Sequence, residues 1–226
     1  MIVRILFIVV RIAAATVIGA AAFGQLFQSI DYWSAKGVTN IPSNVVNFFS
    51  FFTIDSNLLS LLVLLVGAVL LIRKTDDPEW FQVARASVVT YMVTTGVVYN
   101  LLLRGIELPQ GSTLAWSNEV LHVIAPIYLL LDWILAPGRK PLRYTSVWIV
   151  IAFPLVWTIY TLIRGPFVED QVFANDFWYP YPFLNPNTTE QGYLTVAFYI
   201  LMITVLIAVA GLGTVWVSRR KQPRVQ

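Results

Sequence analysis

Cysteine is absent from this 226-residue sequence, and histidine occurs once, at His122. Without cysteine, the chain has no disulfides, cysteine nucleophiles or thiolate metal sites. A single histidine excludes bis-histidine haem, and a zinc site would need mostly carboxylates, against the usual ligand pattern. We therefore expect no metal and no cofactor.

Charged residues are also few. They make up 12% of the chain, whereas a soluble domain carries roughly 25%. Hydrophobic residues make up 58%, and the mean hydropathy is +0.71. The net charge is only +3, and the basic residues stand at the ends of apolar segments, so nucleic acid is not an expected partner. The composition predicts one membrane domain over residues 1–226.

Six apolar segments are long enough to cross a bilayer as α-helices, which takes about 20 residues each. We predict an all-α, six-transmembrane-helix bundle. A cleaved signal peptide is the alternative for the first segment, because Ala20-Ala21-Ala22 resembles a cleavage site, but the apolar run continues past it. Arg11 interrupts this segment and is expected to snorkel to the headgroups. The predicted spans are 5–30, 48–72, 83–103, 114–135, 144–163 and 192–217.

Basic residues are distributed unevenly between the two sides that six spans define. The side opposite the termini carries only Lys36, Arg104 and Arg164. By the positive-inside rule, both termini are predicted to be cytoplasmic. The other 12 of the 15 basic residues share the side of the termini: Arg4, Arg11, Arg73, Lys74, Arg85, Arg139, Lys140, Arg143, Arg219, Arg220, Lys221 and Arg224.

Polar side chains inside two of the spans require an explanation, because inserting a charged group into the membrane there costs a free energy of roughly 2.5–3.5 kcal/mol on insertion scales. Thr53 lies about five residues into span two and His122 about eight into span four. At 1.5 Å per residue, the two are at similar depth below the outer surface. Four-residue spacing places Asn57 on the face of Thr53, and Asn118 on the face of His122.

Three further residues near this cluster are the candidates for a supporting role. Glu119 precedes His122 by three positions and can share its face. Asp55 is about 200° around the helix from Thr53 and is expected to point elsewhere. Pro126 follows His122 by four positions and removes the N–H that would bond the carbonyl of residue 122, so the helix should kink there.

Thr53 and His122 together can form a nucleophile and its general base. A hydroxyl attacks poorly until a base takes its proton, and histidine titrates near neutral pH. Asn57 or Asn118 is expected to donate to an oxyanion or to orient the imidazole. The structural alternative is that these polar groups only hold helices together, at about 0.6 kcal/mol per bond on average.

Two other features carry predictions. Asp132 approaches the cytoplasmic interface and is expected to be solvated or paired with Arg139 or Arg143. The longest loop, 164–191, is rich in aromatic residues and is expected to anchor at the headgroup region. A lid over the polar cluster is the alternative for this loop.

The sequence resembles the androgen-induced membrane protein family, which includes the androgen-dependent TFPI-regulating proteins, and especially its shorter bacterial members. The likeness covers nearly the whole chain. One position differs, because animal members carry a second histidine where this chain has Glu119. The matching residues are Phe52-Thr53-Ile54-Asp55, then Asn118, His122 and Pro126 at four-residue spacing, and Trp178-Tyr179-Pro180 before the last span.

The resemblance implies a threonine hydrolase. Animal members are described as hydrolysing fatty acid esters of hydroxy fatty acids, and their catalytic threonine and histidine correspond to Thr53 and His122. We expect a membrane hydrolase that cleaves a fatty acyl ester of a lipid near the outer leaflet of a bacterial plasma membrane, with membrane lipids as its other partners. A non-enzymatic lipid-binding or transport protein that uses the same polar cavity is the alternative. The oligomeric state stays open.

Overall fold

Eight α-helices follow one another along residues 2–220, the part of the chain that the computed structural model describes. Lys221 and Arg224, counted above among the basic residues, lie outside this range. The helices are α1 (Ile2–Ala35), α2 (Ile41–Phe48), α3 (Phe52–Arg73), α4 (Glu79–Val98), α5 (Ala115–Glu119), α6 (Ala125–Leu135), α7 (Ser146–Arg164) and α8 (Tyr193–Ser218).

Within that range, six helical segments are long and apolar enough to cross a membrane. They confirm the predicted all-helical fold and its six candidate spans, and their ends lie within five residues of the predicted ends. The segments are Ile2–Ala35, Phe52–Arg73, Glu79–Leu103, Ala115–Leu135, Ser146–Phe167 and Tyr193–Ser218.

The first span is one continuous helix that is packed into the bundle. α1 runs without interruption through Ala20-Ala21-Ala22, and it packs chiefly against α3. Ala21 and Ala22 are buried, and the Ser117 hydroxyl donates to the Ala21 carbonyl at 2.7 Å. The segment that resembles a cleavage site is therefore part of a helix–helix interface.

The polar stretch before the second span is itself partly helical. α2 begins after Asn40, whose side-chain oxygen accepts from the Ser43 N–H at 3.1 Å, and Pro42 occupies its first turn. Both are favoured at helix starts. The helix is interrupted at 49–51, so α3 begins at Phe52. Thr53 therefore lies in the first turn of α3 and not five residues inside a span.

α4 lies at the centre of the bundle, where it contacts α3, α6, α7 and α8. Polar side chains connect it to these neighbours: Ser56 of α3 bonds Thr95 at 3.1 Å, and Thr90 bonds Thr214 of α8 at 2.9 Å. Large apolar side chains such as Leu201, 64% exposed, cover the outside. This arrangement suits a lipid environment, which cannot satisfy polar groups.

A charge network (Arg11, Asp77, Arg85 and Asp132) is buried at the opposite end of the bundle from Thr53. Arg11 donates to both oxygens of Asp132, at 2.8 and 3.0 Å. Arg85 contacts the same carboxylate at 3.3 Å and Asp77 at 2.6 Å. All four side chains are at most 5% exposed.

The predictions for two members of this network were wrong. Arg11 does not snorkel, because Gly67 leaves space for it: a Cβ on Gly67 would lie 2.6 Å from a guanidinium nitrogen of Arg11. Asp132 is buried against Arg11 and Arg85, not paired with Arg139 or Arg143. Arg139 instead donates to carbonyls at the end of α6.

We expect Asp132→Asn to destabilise the bundle strongly, because it leaves two buried guanidiniums with one carboxylate between them. Loss of one partner from a buried ion pair costs about 3–5 kcal/mol. The matched control is Glu119→Gln, which breaks a pair with Arg104 in which both side chains are nearly half exposed. Unfolding in mixed micelles measures both variants, and equal losses would contradict a structural role for the charge network.

Candidate active site

Thr53 lies at the start of a helix, where the backbone N–H groups have no acceptor within the helix. It is the second residue of α3, and the first N–H groups of a helix have no acceptor within it. The Thr53 N–H donates to the Tyr181 hydroxyl at 3.1 Å. An irregular start of the helix thus presents both the N–H and the side chain of Thr53 to the same place.

His122 lies in a π-helical turn, Val120–Ile124, directly before the helix that contains Pro126. The predicted kink therefore takes the form of a wider turn, a feature frequent at functional sites. Gly96 of α4 faces this turn. A Cβ there would lie 3.1 Å from the Pro126 Cβ and 3.4 Å from the His122 carbonyl oxygen, so glycine permits the close approach of the two spans.

A second π-helical turn, Tyr99–Leu103, ends the central span beside the first. The Tyr99 ring stacks on the His122 imidazole, with centroids 4.0 Å apart and planes 23° apart. The side-chain amide of Asn118 donates to the Tyr99 hydroxyl. Tyr99 therefore holds the imidazole by its face, in addition to the hydrogen bonds that its two nitrogens make.

The structure brings the Thr53 and His122 side chains into contact: Thr53 Oγ1 lies 3.2 Å from His122 Nε2. The other ring nitrogen, Nδ1, lies 2.9 Å from the backbone carbonyl oxygen of Asn118. A carbonyl only accepts hydrogen bonds, so Nδ1 carries the proton and Nε2 presents its lone pair to the Thr53 hydroxyl. Thr53 is 7% exposed and His122 9%.

Tyr181 completes this hydrogen-bonded set from the loop between α7 and α8. Its hydroxyl oxygen lies 3.2 Å from Thr53 Oγ1 and accepts the Thr53 N–H. Since the Thr53 hydroxyl donates to His122, the Tyr181 O–H is left to donate to Thr53 Oγ1. Burial raises the pKa of Tyr181 to about 12, although the bonds with Thr53 lower it. The phenol therefore keeps its proton at neutral pH.

The loop that carries Tyr181 covers the end of the bundle at which Thr53 lies. Trp178 and Tyr179 are buried. A Cβ on Gly165 would lie 2.3 Å from the Tyr179 ring, so only glycine fits there. The Arg164 guanidinium lies over the Trp178 ring at 5.4 Å. The aromatic segment thus lies over the site, as the lid alternative requires.

The two asparagines of the predicted cluster lie on either side of the contact between Thr53 and His122, but they make different hydrogen bonds. The Asn57 amide nitrogen donates to the carbonyls of Thr53 at 2.8 Å and of Leu121 at 3.1 Å, which uses both of its hydrogens. Asn57 therefore ties the two helices together and has no hydrogen left for an oxyanion. Asn118 uses one amide hydrogen for Tyr99 and keeps the other.

Glu119 and Asp55 do not contact the pair. Glu119 accepts two hydrogen bonds from Arg104, at 2.9 and 3.2 Å, and both side chains are nearly half exposed. The Asp55 side chain makes no hydrogen bond or ion pair with any residue between 2 and 220. It lies in the first turn of α3, where a helix N-terminus favours a negative charge.

Two cavities meet at Thr53 and Tyr181, which line both. The first lies between α4, α7 and α8, is mostly apolar, and has a volume of about 680 Å³ when the space open to the outside is included. The second, about 430 Å³, is lined by His122, Asn118 and Gln110 among others. Among residues 2–220, no group of three or more histidine, aspartate or glutamate side chains is arranged to hold a metal ion.

Sequence reasoning missed Tyr181. Its only signal was its position inside the aromatic run 177–182, which is equally typical of a headgroup anchor. It also missed Tyr99, which looks like an ordinary aromatic residue at the end of a span. Both are recognised only once the fold brings them to Thr53 and His122.

Comparison with known proteins identifies no relative: no family model, no curated protein and no solved structure matches the chain. What the site can do is therefore inferred from its own side chains, a buried hydroxyl, an imidazole with a fixed tautomer and a phenol, at the junction of two cavities.

Proposed function

We propose that this protein is an integral membrane hydrolase that cleaves a fatty acyl ester of a lipid, with Thr53 as nucleophile and His122 as general base. The observation that carries the proposal is the 3.2 Å contact between Thr53 Oγ1 and His122 Nε2, made by an imidazole whose other nitrogen is bound to the Asn118 carbonyl. The likeness of these positions to the androgen-induced family also supports it.

We further propose that both termini are cytoplasmic and that the site lies near the outer leaflet of a bacterial plasma membrane. The orientation rests on the 12 basic residues on the side of the termini against three on the other. Thr53 lies at the end of α3 that this orientation turns outward. That depth suits an ester whose tail stays in hydrocarbon while water reaches the carbonyl.

In the first half of the reaction, Thr53 Oγ1 attacks the ester carbonyl carbon as its proton passes to His122 Nε2. The tetrahedral intermediate collapses when the bond to the alcohol oxygen breaks, and the protonated imidazole returns the proton to that oxygen. The products are the free alcohol and an acyl group esterified to Thr53. The Asn118 carbonyl keeps the imidazole oriented through both transfers.

In the second half, a water molecule replaces the alcohol beside His122. The imidazole takes a proton from this water, and the resulting hydroxide attacks the acyl carbon. When the bond to Thr53 breaks, the proton returns to Oγ1 and the fatty acid is released. Every proton that His122 accepts is given back, so no other acid or base is required.

Tyr181 is the donor that we assign to the oxyanion. Its O–H points at Thr53 Oγ1 in the resting site, and the oxyanion of the intermediate forms on the carbon that Oγ1 attacks. A short rotation of the hydroxyl transfers the hydrogen bond to that oxygen. The remaining amide hydrogen of Asn118 is a second candidate donor.

A lipid-binding or transport protein without catalysis is the second candidate. The apolar lining of the first cavity favours it, because a site that only holds a lipid needs such a lining and does not need the contact between Thr53 and His122. Binding of acyl lipids without hydrolysis over a range of pH would support this candidate.

We expect a serine-hydrolase fluorophosphonate probe to label the purified protein at Thr53. Thr53→Ala should abolish labelling, and His122→Ala should reduce it to near background because the hydroxyl then lacks its base. The matched control is Thr94→Val, since Thr94 lines the same cavity but bonds only its own helix. Full labelling of Thr53→Ala, read by in-gel fluorescence, would disprove the mechanism.

We expect Tyr181→Phe to lower kcat by about 100-fold or more, the usual loss when one oxyanion donor is removed. KM should change little, because the donor acts on the transition state. Tyr160→Phe is the control: it also removes a hydroxyl near the outer end, one that bonds Ser50 and not Thr53. Equal kcat values for the two variants in an ester hydrolysis assay would remove Tyr181 from the mechanism.

A further inference from the structure

The larger cavity extends from Thr53 into the interior of the bundle along α7 and α8. On α7 its lining runs from Thr158 near the covering loop to Ile151, and on α8 from Ile200 to Ile207. Each stretch covers seven residue steps, or about 10 Å at 1.5 Å per residue. The space is therefore elongated, with the Thr53 hydroxyl at one end.

The far end of this cavity is closed by helix packing. One turn beyond Ile207, a Cβ placed on Gly211 would already lie 3.5 Å from a Val150 methyl and 3.6 Å from a Val147 methyl. Val150 has no exposed surface. α7 and α8 are thus in direct contact below Ile151 and Ile207, and these two isoleucines form the floor of the cavity.

The side of the cavity reaches the lipid-facing surface. Leu155 of α7 lines the cavity and is also 42% exposed. Apolar material can therefore pass between the cavity and the hydrocarbon beside Leu155. This is the sideways route that a membrane-dissolved chain requires.

The position of His122 decides which half of an ester occupies each cavity. His122 lines the second cavity and not the first. Because the imidazole must hand its proton to the departing alcohol oxygen, the alcohol leaves on the His122 side. There Gln110 has a buried side-chain oxygen without a partner, and Asn118 has a free amide hydrogen, so a hydroxyl-bearing alcohol finds both an acceptor and a donor.

We infer that the larger cavity binds the acyl half of the substrate as one extended chain, and that its closed floor at Ile151 and Ile207 limits the length of that chain. The substrate class is then a monoester of a straight-chain fatty acid with a small polyol. This inference rests on the proposed hydrolase function. A chain too long for the cavity has to turn outward at Leu155 and loses contact with the floor.

The test uses straight-chain glycerol monoesters from octanoyl to stearoyl with the full-length protein in detergent. We expect Ile207→Phe to lower kcat/KM for the longest esters that the wild type accepts by about tenfold or more, with little change for the shortest. Ile207→Ala should extend the accepted length, a gain that misfolding cannot imitate. Leu201→Phe makes a comparable change on the lipid-facing side of α8 and is the matched control.

Binding of the corresponding free fatty acids to Thr53→Ala, followed by native mass spectrometry, separates this inference from the proposed hydrolase. If the wild type hydrolyses no ester but Ile207→Phe still shortens the bound chain, the hydrolase proposal fails and the cavity assignment stands. If the wild type hydrolyses esters and neither Ile207 variant changes the length profile, the cavity assignment is overturned.

Discussion

The constraint on which the whole molecule depends is the absence of hydrogen-bonding solvent in the hydrocarbon core. Every polar group placed there must find its partner within the protein. The six long helices satisfy their own backbones, and the buried hydroxyls of α4 satisfy one another across interfaces, as Thr90 and Thr214 do. Polar side chains are therefore collected in the interior, while the apolar ones face outward.

The candidate site lies where the regular hydrogen bonding of the helix backbones is interrupted. The first turn of α3 leaves the Thr53 N–H unpaired, and Tyr181 accepts it. The π-helical turn at 120–124 brings Nε2 of His122 to Thr53, while the Asn118 carbonyl holds Nδ1. The two backbone irregularities thus supply Thr53 and His122 to one continuous series of hydrogen bonds, which Tyr181 extends from the loop.

The features of this structure that could be predicted from the sequence are those that neighbouring residues determine. The six spans follow from apolar runs, but the depth of Thr53 was mispredicted, because the break at 49–51 makes α3 begin only at Phe52. Pro126 predicted a disturbed helix, though not its π-helical form. Tyr181 could not be predicted, because nothing in an aromatic loop indicates which ring will turn inward to α3. The pairing of Arg11 with Asp132, 121 residues apart, depends on helix neighbours that apolar patterns do not specify.

The pairing of Arg11 with Asp132 also has a consequence for how the chain is assembled. A polypeptide is made from its N-terminus, so the helix with Arg11 enters the membrane well before the span with Asp132 exists. During that interval the guanidinium lacks the carboxylate with which it is paired in the folded bundle. The charge network can therefore close only after the fourth span is present, which makes its closure a late step of biogenesis.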